Sequence, residues 1–189
     1  MSNMRKLNLG SGEYLKPGFV NVDYYSVSKP DVEHDLSLFP YPFQDSEFDH
    51  VESDHCFEHL PNPFRVMKEV HRIAKNNATV VVRVPHFSRG FTHAEHKAGF
   101  DVTFPYYFQK DFQGGYQGVE FVTDAVKLHW FAQPYLKRTV LSPPMFWTAR
   151  ATGAVFSFFA NLSPFLCSRI WCFWVGGFEE VEFRMRVKK

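Results

Sequence analysis

Along the first half of the chain, short apolar runs alternate with one stretch of clear helical spacing. Residues 6–9 read as a strand that ends in Gly10-Ser11-Gly12, and residues 19–24 as a second strand ending near Asp23. A short third strand is predicted around 32–35, and after the Pro-containing loop at 40–46 a fourth over 48–53. Asn62 then offers a helix cap with Pro63 in the first helical position, and Val66, Met67, Val70, Ile73 and Ala74 repeat at helical spacing. Asn76-Asn77 is expected to end that helix, and the β-branched run 79–84, closed by Pro85, predicts a buried strand. Alternation of this kind predicts an α/β fold with a mostly parallel sheet.

Beyond Pro85 the periodicity weakens. Residues 86–118, rich in Phe, His, Tyr and Gly, read as a long insertion over a ligand site, and 127–131 as a return to the sheet. Residues 143–175 predict one or two helices broken near Pro164. The last residues, 180–187, alternate polar and apolar side chains, the pattern of a half-exposed strand suited to the sheet edge as an antiparallel partner. The expected division is one domain over 1–189: a core at 5–87, an insertion and lid at 88–126, an aromatic helical region at 143–178 and a final strand at 179–187.

Composition changes this picture in three places. With 21 Lys and Arg against 20 Asp and Glu, the net charge of +1 leaves no excess positive field for a phosphate backbone, so nucleic acid is not an expected partner. Cys56, Cys167 and Cys172 are odd in number and form no close pair, which argues against a disulfide framework and a zinc knuckle. The N-terminus shows no apolar signal segment, so the expected location is cytoplasmic, with peripheral contact at the inner face of the membrane left open. Aromatic residues make up 18%, with 22 Phe, and the run 151–178 carries one charge, Arg169. Pro164, Asn161 and Gly176-Gly177 interrupt that run, so a spanning helix of about 20 apolar residues is not expected. Core packing is the default for its rings, and an apolar lid over the acceptor pocket, docking at a membrane surface and a homodimer interface are the open alternatives.

Two glycines at a strand's carboxyl end let the backbone turn sharply and approach a ligand without a Cβ in the way. The dinucleotide fingerprint would need a Gly or Ala at position 15, which is Leu15, and an acid about 20 residues on, whereas Asp23 follows Gly12 by eleven. NAD is therefore the poorer fit. The ordered stretches LNLGSG, PGFVNVDYY, HDLSLFPYPFQDSEFDHV, DHCFEHLPNP and VVVRVPHF, within residues 6–87, resemble the class I S-adenosylmethionine (SAM)-dependent methyltransferases. The likeness is to the small methyltransferase-type-11 branch associated with cell-surface glycan synthesis.

The resemblance implies a Rossmann-like fold, SAM as cofactor, and a set of positions. Gly10, Ser11 and Gly12 would pass beneath the methionine part, Asp23 would accept from the ribose hydroxyls, and Asp35 with Leu36 would hold the adenine. Ser53, Asp54 and His55 would edge the methionine moiety and the acceptor entrance. The eleven or so residues between the first two strands imply a very short first helix. On the residues alone, Asp23 also suits a turn, Asp35 a helix cap, and Glu58-His59 a structural corner before the helix.

Transfer to a hydroxyl needs alignment and a base. His86 and His55, at strand ends, are the candidates preferred over His93 and His96. A metal set of His86, His93 and His96 with Glu95 or Asp101 matches no signature, and no metal is expected. The expected activity is O-methylation of a sugar or other small acceptor in cell-envelope glycan synthesis. A lipid or quinone-like acceptor and a non-catalytic SAM-binding scaffold are the alternatives.

Overall fold

The computed structural model describes residues 4–90 and 93–189. Seven strands, β1 (Lys6–Leu9), β2 (Val20–Asp23), β3 (Val32–Glu33), β4 (Phe48–Asp54), β5 (Ala74–Pro85), β6 (Glu120–His129) and β7 (Glu180–Lys188), form one sheet in the order β3-β2-β1-β4-β5-β7-β6. The first five are parallel, and β7 runs antiparallel to both β5 and β6. Leu7, Leu9, Val51, Val80, Val82 and Val84 are buried in its centre, as a parallel sheet covered on both faces requires.

Helix α1 (Pro63–Ile73) starts where its cap places it: the Asn62 side-chain oxygen accepts from the Arg65 N–H at 3.0 Å. Its buried residues are Val66, Met67, Val70 and Ile73, one stripe that packs on the sheet. Ala74 already belongs to β5, so the expected continuation of the helix to Asn76 gives way to a longer strand. A register shift against β4, between Phe48 and His50, absorbs the extra residues.

Two expectations are corrected. No helix separates β1 from β2; residues 10–19 are a loop. Buried Asn8 and Asn21 hold it, Asn8 donating to Asn21 Oδ1 (2.9 Å) and to the Tyr14 carbonyl (3.2 Å), while Lys16 N–H donates to Asn21 Oδ1 at 2.8 Å. The final strand is antiparallel but is neither the edge nor half-exposed: it lies between β5 and β6, and β6 takes the edge. Val181, Phe183, Met185 and Val187 fill the core on one face, and on the other Glu180 and Glu182 are buried against basic partners. Alternation alone cannot distinguish a polar face that meets water from one that meets buried counter-charges.

After the short helix α2 (Phe87–Gly90), a 3-10 turn at Phe104–Phe108 packs its rings against Phe64, Phe121 and Phe183. Beyond β6 come α3 (Pro134–Val140), α4 (Pro143–Ala160) and α5 (Pro164–Leu166), then a π-helical turn (Cys167–Trp171) and α6 (Cys172–Val175). The chain bends by 108° between Pro143–Ala160 and Pro164–Trp174, the expected break near Pro164. Core packing, the default for the aromatic region, holds for part of it: Phe146, Cys172 and Phe178 are buried, whereas Trp147, Phe158, Phe159, Trp171 and Trp174 are exposed.

Candidate functional site

At the carboxyl ends of β1, β2 and β4 lies a cavity of about 720 Å³ whose wall includes Gly10, Gly12, Asp23, Asp35, Leu36 and His55. Gly10 has φ +73°, and a Cβ there would stand 2.3 Å from Cys56 Sγ, so only glycine lets this turn close. Gly12 also has positive φ, but a Cβ there would meet nothing within 4 Å, because it borders open space. Asp23 is pinned at the rim: Oδ2 accepts from the Gly12 N–H at 2.7 Å and Oδ1 from the Tyr25 N–H at 2.9 Å. A carboxylate has about four acceptor sites, so two remain for a ligand diol. Asp35 both lines the cavity and closes a turn, accepting from the Ser37 N–H and hydroxyl, bonds that hold its pKa below the ordinary carboxylate value.

The other residues expected around the cofactor stand apart from this wall. Ser11 Oγ is buried without a hydrogen-bond partner, and Ser53 Oγ donates to the Leu9 carbonyl at 2.8 Å, fastening β4 to β1. Asp54 belongs to a half-buried ion network, with Lys16 Nζ at 2.7 Å and Arg83 Nη1 at 2.6 Å. Burial raises its pKa, but these two cations outweigh that and hold it below the usual range. It faces a different cavity.

The two candidate bases have opposite surroundings. His86 is fully buried, its Nδ1 at 2.8 Å from Ser88 Oγ and its Nε2 at 2.9 Å from Ser168 Oγ. Burial pushes its pKa down to about 4, and it does not appear on the walls of the cavities around the cofactor rim. As placed, it ties the π-helical turn to the end of β5 through Ser168. It also lies apart from His93 and His96, so the three do not form the metal set considered from sequence.

His55, at φ +52°, sits where three cavities meet. Its Nε2 is 2.8 Å from Glu180 Oε2 and its Nδ1 3.4 Å from Glu58 Oε1. Burial lowers its pKa, but hydrogen bonding to the two carboxylates prevails and raises it to about 9. At neutral pH this residue is an imidazolium. The second cavity, about 490 Å³, brings Asp54, His55, Arg83, Arg150 and Glu180 together from distant segments, beside apolar groups such as Phe131 and Ala154. The third, also about 490 Å³, includes His93 and His96. One donor atom each from Glu58, His59 and His96 lie within 4.8 Å of one another, a spacing that could hold a metal ion. Glu58 is at the same time a partner of His55.

Sequence reasoning missed Glu180 and the Tyr135–Arg150 wall. Glu180 carries the signal of an ordinary strand alternation, and nothing local links residues 133–157 to His55. Cys56, also on the cofactor wall, follows His55 directly, and burial pushes its thiol above the usual range.

Residues 18–82 match the methyltransferase domain family. No curated protein matches the chain. Among solved structures, a SAM-dependent methyltransferase from Archaeoglobus fulgidus is similar at 14% identity, with a TM-score of 0.59 over 98% of this chain and 86% of that one. Phosphoethanolamine N-methyltransferase 2 of Haemonchus contortus, solved with S-adenosyl-L-methionine, is 14% identical, with a TM-score of 0.56 over 99% of this chain and 49% of that one. The [4+2]-cyclase SpnF is 12% identical, with a TM-score of 0.57 over 98% of this chain and 75% of that one. The fold is thus the Rossmann-like methyltransferase fold, and a fold hosts more than one chemistry. The domain match and this fold together support an enzyme of the SAM-dependent methyltransferase class, with SAM as its cofactor.

Proposed function

We propose that this chain methylates an oxygen of a sugar or related small acceptor in cell-envelope glycan synthesis, with SAM at the glycine-lined rim and the acceptor in the cavity beyond His55. The observation that carries this reading is the position of His55, on the wall shared by the glycine-lined cavity and the second cavity. The residues present fit the cofactor: Gly12 borders open space and Asp23 keeps acceptor sites free for a vicinal diol. Held there by the Gly10–Gly12 turn and Asp23, SAM would supply an electrophilic methyl group for transfer to the acceptor oxygen.

The chain's own residues supply position and charge. Asp54, Arg83, Arg150 and Glu180 place charges of both signs on the wall of the second cavity, groups with which the hydroxyls of a sugar-like acceptor can exchange hydrogen bonds. Glu180 fixes the His55 ring through Nε2 at 2.8 Å, and the longer 3.4 Å contact of Nδ1 with Glu58 makes Nδ1 the nitrogen that would turn to the acceptor hydroxyl. His55 accepts the hydroxyl proton only in its neutral form, which becomes populated as the pH approaches 9.

The test is methyl transfer from SAM across a panel of sugars, sugar nucleotides and quinols, with calorimetry of SAM binding alongside. Turnover of a sugar hydroxyl that rises toward pH 9 and drops at least tenfold in His55→Gln, with unchanged SAM affinity, is the expected result. Turnover of quinols alone overturns the acceptor, and a rate unaffected by His55→Gln removes that residue from the chemistry. SAM binding without transfer to any acceptor would instead favour the scaffold.

A further inference from the structure

Helix α4 is built inside out. Its inner face carries one large ring, Phe146 against Phe131, and is otherwise small and polar: Gly153, where a Cβ would stand 2.6 Å from Phe131 Cβ, Ser157, whose Oγ accepts from the Trp130 N–H at 3.1 Å, Ala160 and the Asn161 cap. The Asn161 side chain closes both backbone groups of Leu128 on the edge strand, accepting from N–H at 2.9 Å and donating to C=O at 2.8 Å. Met145, Trp147, Val155, Phe156, Phe158 and Phe159 point the other way and are exposed. At ~100° per residue they cover roughly half the circumference, wider than the stripe by which a helix packs on one neighbour. After the 108° bend the same character continues, with Trp174 82% and Leu162 70% exposed.

Charge selects the occupant. Residues 125–178 contain five Lys or Arg and not one Asp or Glu; Lys137 and Arg169 are paired with Glu179 and Asp101 from outside the segment, and Lys127, Arg138 and Arg150 add to its positive charge. A second copy of this face would meet like charge with like charge, and no flat protein surface could cover apolar side chains on both arms of a bent pair. Acyl chains conform to any shape, and anionic head groups complement the basic residues. Three of the exposed rings are tryptophans, the residue that settles at the boundary between head groups and hydrocarbon. No single helix among the described residues is long and apolar enough to cross a membrane, and the bent pair is the form of a hairpin that enters one leaflet and returns.

We infer that the hairpin formed by α4 and Pro164–Trp174 docks this protein on an anionic lipid surface. The docked hairpin is also a wall of the second cavity, through Arg150, Gly153, Ala154 and Ser157. Resting on the methyl-transfer reading, this gives the acceptor class a further property: a polar head carried on a lipid anchor, presented from the surface to which the enzyme is bound.

Flotation of the full chain with phosphatidylcholine vesicles, with and without phosphatidylglycerol, tests the docking. The wild type is expected to float with the anionic vesicles, several-fold less with the neutral ones, and less at high salt. Phe158→Ser with Trp174→Ser should reduce flotation at least tenfold while SAM affinity stays unchanged, since both side chains are exposed and remote from the cofactor wall. A wild type that floats with neither vesicle overturns the inference, as does a double variant that floats like the wild type. A dimer lost in the double variant, without flotation, replaces lipid by a second copy. Failure to bind SAM would remove the proposed function and leave flotation intact, so the two fail separately. With cell membranes and methyl-labelled SAM, label is expected in the solvent-extractable lipid; label confined to the water-soluble fraction overturns presentation from the surface.

Discussion

On α1, Val66, Met67, Val70 and Ile73 face the sheet, while Arg65, Lys68 and Arg72 lie outside that buried stripe; on α4, Gly153, Ser157 and Asn161 face it and Phe156, Phe158 and Phe159 face out. The first helix is held by removal of apolar area from water, and the second by hydrogen bonds and a close backbone approach. Helical spacing and composition describe each segment correctly, yet which side of α4 meets the protein follows from what the edge strand β6 needs: partners for its unpaired backbone. A segment whose apolar face is left outward has been shaped for a second, non-aqueous environment.

The sharpest way to break this contrast is to remove one ring from each region. Phe183→Ala, in the sheet core, should cost about 3–5 kcal/mol in urea unfolding. Phe158→Ala, 65% exposed, should stay within about 0.5 kcal/mol. Equal losses would mean that the hairpin packs on the domain after all.

The two histidines divide along the same line and give opposite pH dependences. His86 is lowered to about 4, so its contribution to stability is complete above the unfolded value near 6.5 and is lost as the pH falls through 4. His55 is raised to about 9, so its contribution is complete below 6.5 and is lost as the pH rises through 9. Each is worth at most roughly 3 kcal/mol on the linkage relation. Thermal melts across this range should show a maximum near pH 6.5; His86→Gln should flatten the acid limb above pH 4.5 and His55→Gln the alkaline one. An acid limb unaltered in His86→Gln would show that the ring titrates as freely in the fold as outside it.

At the cofactor rim, Asp23→Asn retains the shape of the side chain and loses its charge. SAM affinity should fall by about 1.5–3 kcal/mol, roughly ten- to 150-fold, with an unchanged circular dichroism spectrum. Undiminished affinity would detach Asp23 from the ribose. The polar docking of α4 has its own test: Asn161→Ala strips both side-chain partners from the Leu128 backbone and should cost about 1–3 kcal/mol. Amide exchange at Leu128 should quicken with it, and protection as in the wild type would show that another group closes the strand.

Much of the scaffold and part of the site were legible from local pattern. Glycines before a strand-end acid placed Gly10, Gly12 and Asp23 on one rim, and the Asn62–Pro63 start placed α1, because turns and caps are decided by residues a few positions apart. Local pattern also proposed His86 and His55 on equal terms, both being histidines at the ends of strands. Only packing separated them, by closing Ser88 and Ser168 around one and opening three cavities at the other.

What the sequence by itself determined is the order of strands and the one long amphipathic helix of the first half, together with an aromatic, acid-free tail that must find an apolar partner. Tertiary structure decided that β7 lies inside the sheet, that Glu180 reaches His55 across 125 positions of chain, and that the tail's rings face outward. The reason is range. Periodicity and capping record the side of an element that is apolar, whereas the surface each side meets depends on segments that only folding brings together.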